Sequence, residues 1–177
     1  MSLSELIVLV GLPGSGKSSV GRQLARRLQT SFQDSDHVIE QRLGCSIRDF
    51  FALKGEAAFR DMEEVVLAEL METSTGVLAT GGGSVLRQAN RERMRSVGKV
   101  IYLRSTPEEI FRRVRHDTNR PLLQGADPME QLRELYTERG PLYLESAHVV
   151  VDTGRPTVGA LVNTIIARLG LDPQLSR

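Results

Sequence analysis

The run Gly11-Leu12-Pro13-Gly14-Ser15-Gly16-Lys17-Ser18 constrains this chain more than any other feature. It fits G-x-x-x-x-G-K-[ST] at every position, and each element of that pattern answers a physical need. Glycines let the backbone turn tightly and bring successive N–H groups toward phosphate oxygens. A lysine here reaches the β- and γ-phosphates of a nucleotide, and the Ser18 hydroxyl can enter the shell of a Mg²⁺ ion. The same spelling can mark a ligand-free glycine turn, so context has to decide. Leu6-Ile7-Val8-Leu9-Val10 lies directly before it, a continuous apolar run of the kind that forms a buried parallel strand. Val20, Leu24 and Leu28 follow at four-residue spacing, one stripe of a helix. A strand before and a helix after are what a phosphate-binding loop requires, and the helix adds its positive N-terminal end. Gly14, Ser15, Gly16, Lys17, Ser18 and Ser19 are therefore the expected phosphate-binding set.

The alternation continues along the chain. Short apolar runs at Ser31-Phe32-Gln33, Gly76 to Ala79, Val100 to Leu103 and Val149 to Val151 read as further strands. The helices between them carry their own punctuation. Thr106-Pro107-Glu108-Glu109 supplies an N-cap, a proline at the first helical position and a glutamate able to close a capping box. Asp127-Pro128-Met129-Glu130 repeats that chemistry, and the last helix stops at Gly170. Strands alternating with helices imply a parallel sheet covered on both faces. The expected fold is α/β, a three-layer α/β/α P-loop kinase fold on a central five-stranded parallel sheet, with residues 1–177 forming one domain. Two segments resist the pattern. Residues 44–60 hold two short helical stretches around Lys54-Gly55, and residues 117–127 carry turn formers around Arg120, as a mobile loop would.

Composition narrows the partners. With 23 basic against 22 acidic residues the formal net charge is +1, which gives no reason to expect nucleic acid or a membrane surface. The apolar run at Leu6 is too short for a signal-peptide core and has no basic region before it, so the expected compartment is the cytoplasm. Cys45 is the only cysteine, which excludes an intramolecular disulfide, and it reads as a small buried apolar residue. No apolar stripe is left over once the core helices are assigned, so a monomer is expected.

The remaining motifs must choose the phosphoryl acceptor. No Asn-Lys-x-Asp run is present to read guanine, and the third strand ends Ala79-Thr80-Gly81-Gly82-Gly83 rather than in the acidic residues of a motor ATPase. Small size with an arginine loop favours a metabolite kinase. Asp34-Ser35-Asp36 follows the short second strand, where period-two geometry sends both carboxylates out on one side. One can help hold Mg²⁺ and the other can accept the proton of an acceptor hydroxyl. Asp36 is equally well placed to cap a helix over residues 37–43, and the two roles can coexist. Gly81-Gly82-Gly83 can let the backbone approach a ligand closely or can be a flexible loop. Composition does not choose among the arginines at 60, 113, 120, 139 and 155.

Together these motifs resemble the shikimate kinase family, collinearly over about residues 5–170. The carrying segments are Gly11 to Ser18, Asp34-Ser35-Asp36, Gly55-Glu56-Ala57-Ala58-Phe59-Arg60, Gly81 to Gly83, Arg120-Pro121-Leu122-Leu123 and Arg139-Gly140-Pro141-Leu142-Tyr143. The resemblance implies transfer of the ATP γ-phosphoryl group to the 3-hydroxyl of shikimate, a step in aromatic amino-acid biosynthesis. It implies a substrate-binding region over about residues 34–61 and a lid over about residues 113–127. Residue by residue, it gives Asp36 the shikimate hydroxyls and the role of base. Arg60 and Arg139 take the carboxylate, a task that suits a guanidinium fork. Gly81 and Gly82 contact the substrate through their backbone, and Ser18 with Asp34 positions Mg²⁺. Lys17 and Arg120 stabilise the transferring phosphoryl group, Arg113 supports a phosphate contact, and Arg155 lies beside adenine, where Pro156 is the alternative. Tyr102 and Tyr143 read as core, and His37, His116 and His148 as surface or loop residues. Another small carboxylate-bearing acceptor such as gluconate is the competing reading, and a regulatory nucleotide-binding module that has lost catalysis is the other. The latter would break Lys17, Asp36, Arg60 or Arg120, and all are present.

Overall fold

A computed structural model of the chain describes residues 5–115 and 127–171. The elements run β1 (Leu6–Val10), α1 (Lys17–Arg27), β2 (Phe32–Asp34), α2 (Ser35–Leu43), α3 (Ile47–Lys54), α4 (Glu56–Thr73) and β3 (Val77–Ala79). They continue with α5 (Gln88–Val97), β4 (Gly98–Arg104), α6 (Pro107–Val114), α7 (Pro128–Ser146), β5 (Val149–Asp152) and α8 (Val158–Arg168). The strands form one five-stranded sheet in the order β2-β3-β1-β4-β5, every pairing parallel.

Period-two geometry divides the strand side chains between two cores. Leu6, Val8 and Val10 of β1 join Val100 and Tyr102 of β4 on one face, under Val66, Leu67, Met94, Ile110, Leu132 and Tyr143. Ile7 and Leu9 join Ile101 and Leu103 on the other, under Val20 and Leu24 of α1 and Leu161, Val162, Ile165 and Ile166 of α8. Both faces of the central strand are therefore dry, which is why its sequence is apolar without alternation. The layers and the parallel sheet match the sequence-based expectation, although α4 is a long helix rather than a short stretch.

Register positions the site. Leu9 lies opposite Ala79, and Asp34 lies opposite the same residue from the other side. The chain therefore leaves β1 at Gly11, β3 at Thr80 and β2 at Ser35 from one level of the sheet, past the carboxyl ends of its strands. This is the crevice where open α/β sheets bind ligands. Gly21, in the middle of α1, leaves room for the Phe32 ring of β2; a Cβ there would stand 2.6 Å from it.

Two expectations about local structure are corrected. Cys45 is exposed, because Gly44 closes α2 in a left-handed conformation and the chain turns at the surface before α3. The cap of α2 is Asp34 and not Asp36: its side chain accepts from Asp36 N and His37 N, and the helix begins one residue later. Thr106 and Asp127 cap α6 and α7 as expected, the former in a complete capping box.

Candidate active site

The phosphate-binding loop closes on itself. Gly14 and Gly16 hold φ of 83° and 94°, the left-handed region that side chains avoid, so these positions need glycine. Ser15 N donates to Leu12 O at 3.1 Å, completing the turn. Lys17 is buried, and its Nζ donates to the Gly11 and Leu12 carbonyls at 2.8 and 2.9 Å. A buried ammonium must be paired, and here carbonyls of the loop hold it at the floor of the cradle. Ser18 stands one residue into α1, and its Oγ donates to Asp34 Oδ2 at 2.7 Å. Ser19 is exposed on the same first turn. Arg113, near the end of α6, reaches the loop and donates to Gly14 O at 3.1 Å.

Asp34 serves two purposes with its two oxygens. Oδ2 takes the Ser18 hydroxyl, while Oδ1 accepts from Asp36 N at 3.0 Å and His37 N at 3.4 Å. Because α2 starts at Ser35, the carboxylates at 34 and 36 do not continue a strand side by side. Asp34 turns toward the phosphate loop and Asp36 toward the glycines after β3. Burial pushes the Asp36 carboxyl up from 3.8 to about 7, and the charges of Asp34, Glu63 and Glu40 add to the shift while Lys17 opposes it. A carboxyl tuned to that range is fitted to exchange protons near neutral pH.

The glycine triplet is needed for space. None of the glycines at 81, 82 and 83 has a left-handed φ, yet each lacks room for a side chain. A Cβ on Gly81 would stand 2.5 Å from Asp36 Oδ1, and one on Gly82 would stand 2.6 Å from the Pro13 ring. One on Gly83 would collide with the Arg60 guanidinium. The triplet thus touches the acidic residue, the phosphate loop and an arginine in succession. It does not open a helix directly, since α5 starts only at Gln88.

Arg60 projects from the second turn of α4. Its guanidinium donates to Glu63 Oε1 at 2.9 Å and lies 5.1 and 5.7 Å from the centroids of Phe59 and Phe51. Those rings are themselves 4.8 Å apart, so Arg60 is held between a buried carboxylate and two aromatic faces. Burial raises the Glu63 pKa, with the Arg60 and Arg139 charges working against that rise. Arg139, on α7, also acts on Glu63 with its charge; its Nε is buried without a hydrogen-bond partner, as is that of Arg60, which has only a long ion-pair contact with Glu56 at 3.5 Å. Two cationic forks with buried, unmet donors beside a glycine wall describe a place for a carboxylate.

The structure therefore brings together Lys17, Ser18, Asp34, Asp36, Arg60, Gly81, Gly82, Arg113 and the α7 arginine. Arg155 is exposed on the turn after β5, with Pro156 exposed beside it. Arg120 and the rest of 116–126, most of the expected lid and His116, lie outside the described residues. Sequence reasoning passed over Glu63, Phe51 and the hydroxyl of Tyr143. A helical signal for two of them was present: Glu63 is three residues after Arg60 and Tyr143 four after Arg139, the spacings at which helix side chains meet. Tyr102 and Tyr143 are buried core residues, as expected, and His37 and His148 are exposed.

Comparison with known proteins gives a consistent set. A family model described as shikimate kinase matches residues 13–170. The chain is 60% identical over 168 residues to a shikimate kinase of Paracidovorax citrulli, covering 93% of this chain and 92% of that one. It is 51% identical over 171 residues to a shikimate kinase of Thiobacillus denitrificans, covering 97% and 93%. Among solved structures, a shikimate kinase from Acinetobacter baumannii in complex with shikimate superposes with a TM-score of 0.89 at 42% identity, covering 93% of this chain and 92% of that one.

Proposed function

The chain belongs to the shikimate kinase family and phosphorylates shikimate with ATP as donor; from that premise we propose how its residues divide the work. The γ-phosphoryl group passes to the 3-hydroxyl of shikimate, leaving ADP and shikimate 3-phosphate. The observation that carries this reading is the pair of arginines whose buried Nε atoms lack hydrogen-bond partners, beside Asp36 and the glycine wall. Arg60 and Arg139 take the acceptor carboxylate, and the backbone at Gly81 and Gly82 lines the ring. Asp36 then faces the hydroxyl that attacks, and in its ionised form it accepts that proton. Little covalent work falls to the protein in such a transfer; positioning and charge stabilisation supply most of the rate.

On the donor side, the N–H groups of Gly14, Ser15, Gly16, Lys17, Ser18 and Ser19 cradle the phosphates. Lys17 exchanges its carbonyl partners for phosphate oxygens, and Arg113 adds charge at the mouth of the loop. Arg120 is assigned to a lid over about residues 113–127 that excludes water and stabilises the transferring group. Arg155 lies beside adenine. Mg²⁺ fits the donor set at Ser18 and Asp34: both offer hard oxygen, and they are already within hydrogen-bond distance of each other. Among the described residues no group of three or more His, Cys, Asp or Glu could hold a metal ion. That accords with a cation bound by one carboxylate, a hydroxyl and substrate phosphates, and when bound it neutralises charge on those phosphates.

We read residues 1–177 as one kinase domain, with an acceptor region over 34–61, working as a monomer in the cytoplasm without nucleic-acid or membrane partners. Among the described residues no helix is long and apolar enough to cross a membrane, and the exposed large apolar residues Leu53, Val65, Val97, Leu144 and Val158 sit on five different helices. The test is ADP release from Mg-ATP with shikimate, beside gluconate and a nucleoside monophosphate. Turnover with shikimate alone is expected; turnover with gluconate instead would overturn the acceptor.

A further inference from the structure

We propose that Tyr143 is a positioning residue that locks the acceptor-carboxylate site by tying Arg139 to the glycine wall. The inference rests on the shikimate reading of that site. Tyr143 lies four residues after Arg139 on α7, so the two side chains share a helix face. Its ring is fully buried against Tyr102, with centroids 5.0 Å apart. Its hydroxyl donates to Gly82 O at 2.5 Å, and the Arg139 guanidinium lies beside it, its charge and hydrogen-bonding capacity favouring the ionised phenol. One hydroxyl thus donates to the glycine wall and turns its acceptor lone pairs to Arg139.

The geometry gives those bonds a consequence. A peptide unit is planar, so fixing the Gly82 carbonyl fixes the N–H of Gly83, which points the other way. Gly83 is also the residue whose Cα packs against the Arg60 guanidinium. Tyr143 therefore orients one arginine directly, and it holds the backbone against which the other rests. An apolar core position asks only for the ring, which Phe would supply; the hydroxyl is the part that speaks to the site. Placing a polar atom in a core is unfavourable unless it is hydrogen-bonded, and here both of its partners belong to the carboxylate-binding wall.

The experiment is Tyr143→Phe in the full chain, with steady-state kinetics for both substrates and calorimetric binding of shikimate. The expected result is a rise of about tenfold in KM and Kd for shikimate, the scale of one lost hydrogen bond to a charged group. KM for ATP should not move. A second readout separates positioning from packing: in an Arg139→Ala background, Tyr143→Phe should add little further loss of shikimate binding, because the coupling partner is already gone. Methyl shikimate, which lacks the carboxylate charge, should be affected less than shikimate by Tyr143→Phe alone. Equal losses for both substrates and both ligands, or full additivity with Arg139→Ala, would overturn the proposal. If the unchanged protein does not phosphorylate shikimate at all, the functional reading fails first, and that outcome is distinguishable from an active protein indifferent to Tyr143→Phe.

Discussion

The donor and acceptor halves of this site are built on opposite plans. The phosphate cradle is local: eight consecutive residues make the turn, and Lys17 is held by carbonyls five and six residues before it. The acceptor half is assembled from four separate segments, with Asp36 on α2, Arg60 on α4, the glycines after β3 and Arg139 on α7. The cradle is satisfied by its own backbone. The acceptor half keeps buried donors on both arginines without hydrogen-bond partners and a carboxyl whose charge is disfavoured by burial. A self-closed loop can wait for any nucleotide, whereas an arrangement of opposed, partly unmet charges is completed by one shape of anion. On the assignment proposed above, specificity therefore resides in the acceptor half.

The hardest way to break that contrast is Lys17→Ala. Removing the charge from the transferring phosphoryl group should lower kcat by about a thousandfold or more, the scale of a lost phosphoryl-stabilising cation. Shikimate binding measured by calorimetry without nucleotide should be unchanged. A parallel loss of shikimate affinity would show that the halves are one unit.

Asp36→Asn comes next, with a loss in kcat of roughly a hundredfold to ten-thousandfold if the carboxylate accepts the hydroxyl proton. The pH profile sharpens the test. With the carboxyl raised to about 7, kcat/KM for shikimate should fall on the acid side with a midpoint near that value, because the protonated form cannot serve as base. Stability runs the other way. The folded pKa lies above the ordinary 3.8, so the folded state holds the proton more tightly than the unfolded chain between about 4 and 7. The group's favourable contribution is complete below about 4 and is lost as pH rises through about 7. Asp36→Asn should therefore gain in thermal midpoint relative to the parent at pH 8 and not at pH 4. A flat difference across that range would remove the buried-carboxyl account.

These contrasts also explain what was legible in the sequence. The cradle could be read from residues 11–18 and their flanks because its physics is contiguous. The five strands, the three layers and the caps at Thr106 and Asp127 were legible for the same reason, since periodicity and capping are local. Arg60 and Arg139 were not, because they lie 79 positions apart in the chain and only the tertiary fold makes them neighbours; family resemblance named them. Asp34 and Asp36 were found as a pair, but their division of labour depends on the helix starting at Ser35, a boundary that a tripeptide does not mark. Cys45 was misplaced because small apolar character says nothing about a turn held at the surface by Gly44. Glu63 was legible in principle at helix spacing, yet a buried carboxylate supporting an arginine looks, in sequence, like any other intrahelical charge pair.

That pair provides the third test. Glu63→Gln keeps the shape and an acceptor for Arg60 but removes the charge that aligns it. The expected effect is a rise of roughly tenfold in KM for shikimate with KM for ATP constant, since a charged hydrogen bond becomes a neutral one. If the surface partner Glu56, which lies 3.5 Å from Arg60, is altered instead, little should change, because an exposed pair contributes at most about 1 kcal/mol. Equal effects from the two glutamates would mean that burial is not what gives Glu63 its role.

The smallest expected effect comes from Gly83→Ala, and it isolates crowding from everything else. Gly83 has no left-handed φ, so alanine fits its backbone, and the three atoms nearest the added methyl are those of the Arg60 guanidinium. The tip of a long side chain moves more readily than backbone does, so the fold should yield by displacing Arg60 and not by opening the core. KM for shikimate should rise several-fold, on the order of 1 kcal/mol of lost alignment, with a thermal midpoint close to that of the parent. Gly82→Ala provides the contrast, because its added methyl meets the Pro13 ring of the phosphate loop instead. It should disturb ATP as well as shikimate. If Gly83→Ala also raised KM for ATP, the glycine wall would transmit strain across the site, and the two halves would be mechanically joined despite their different construction.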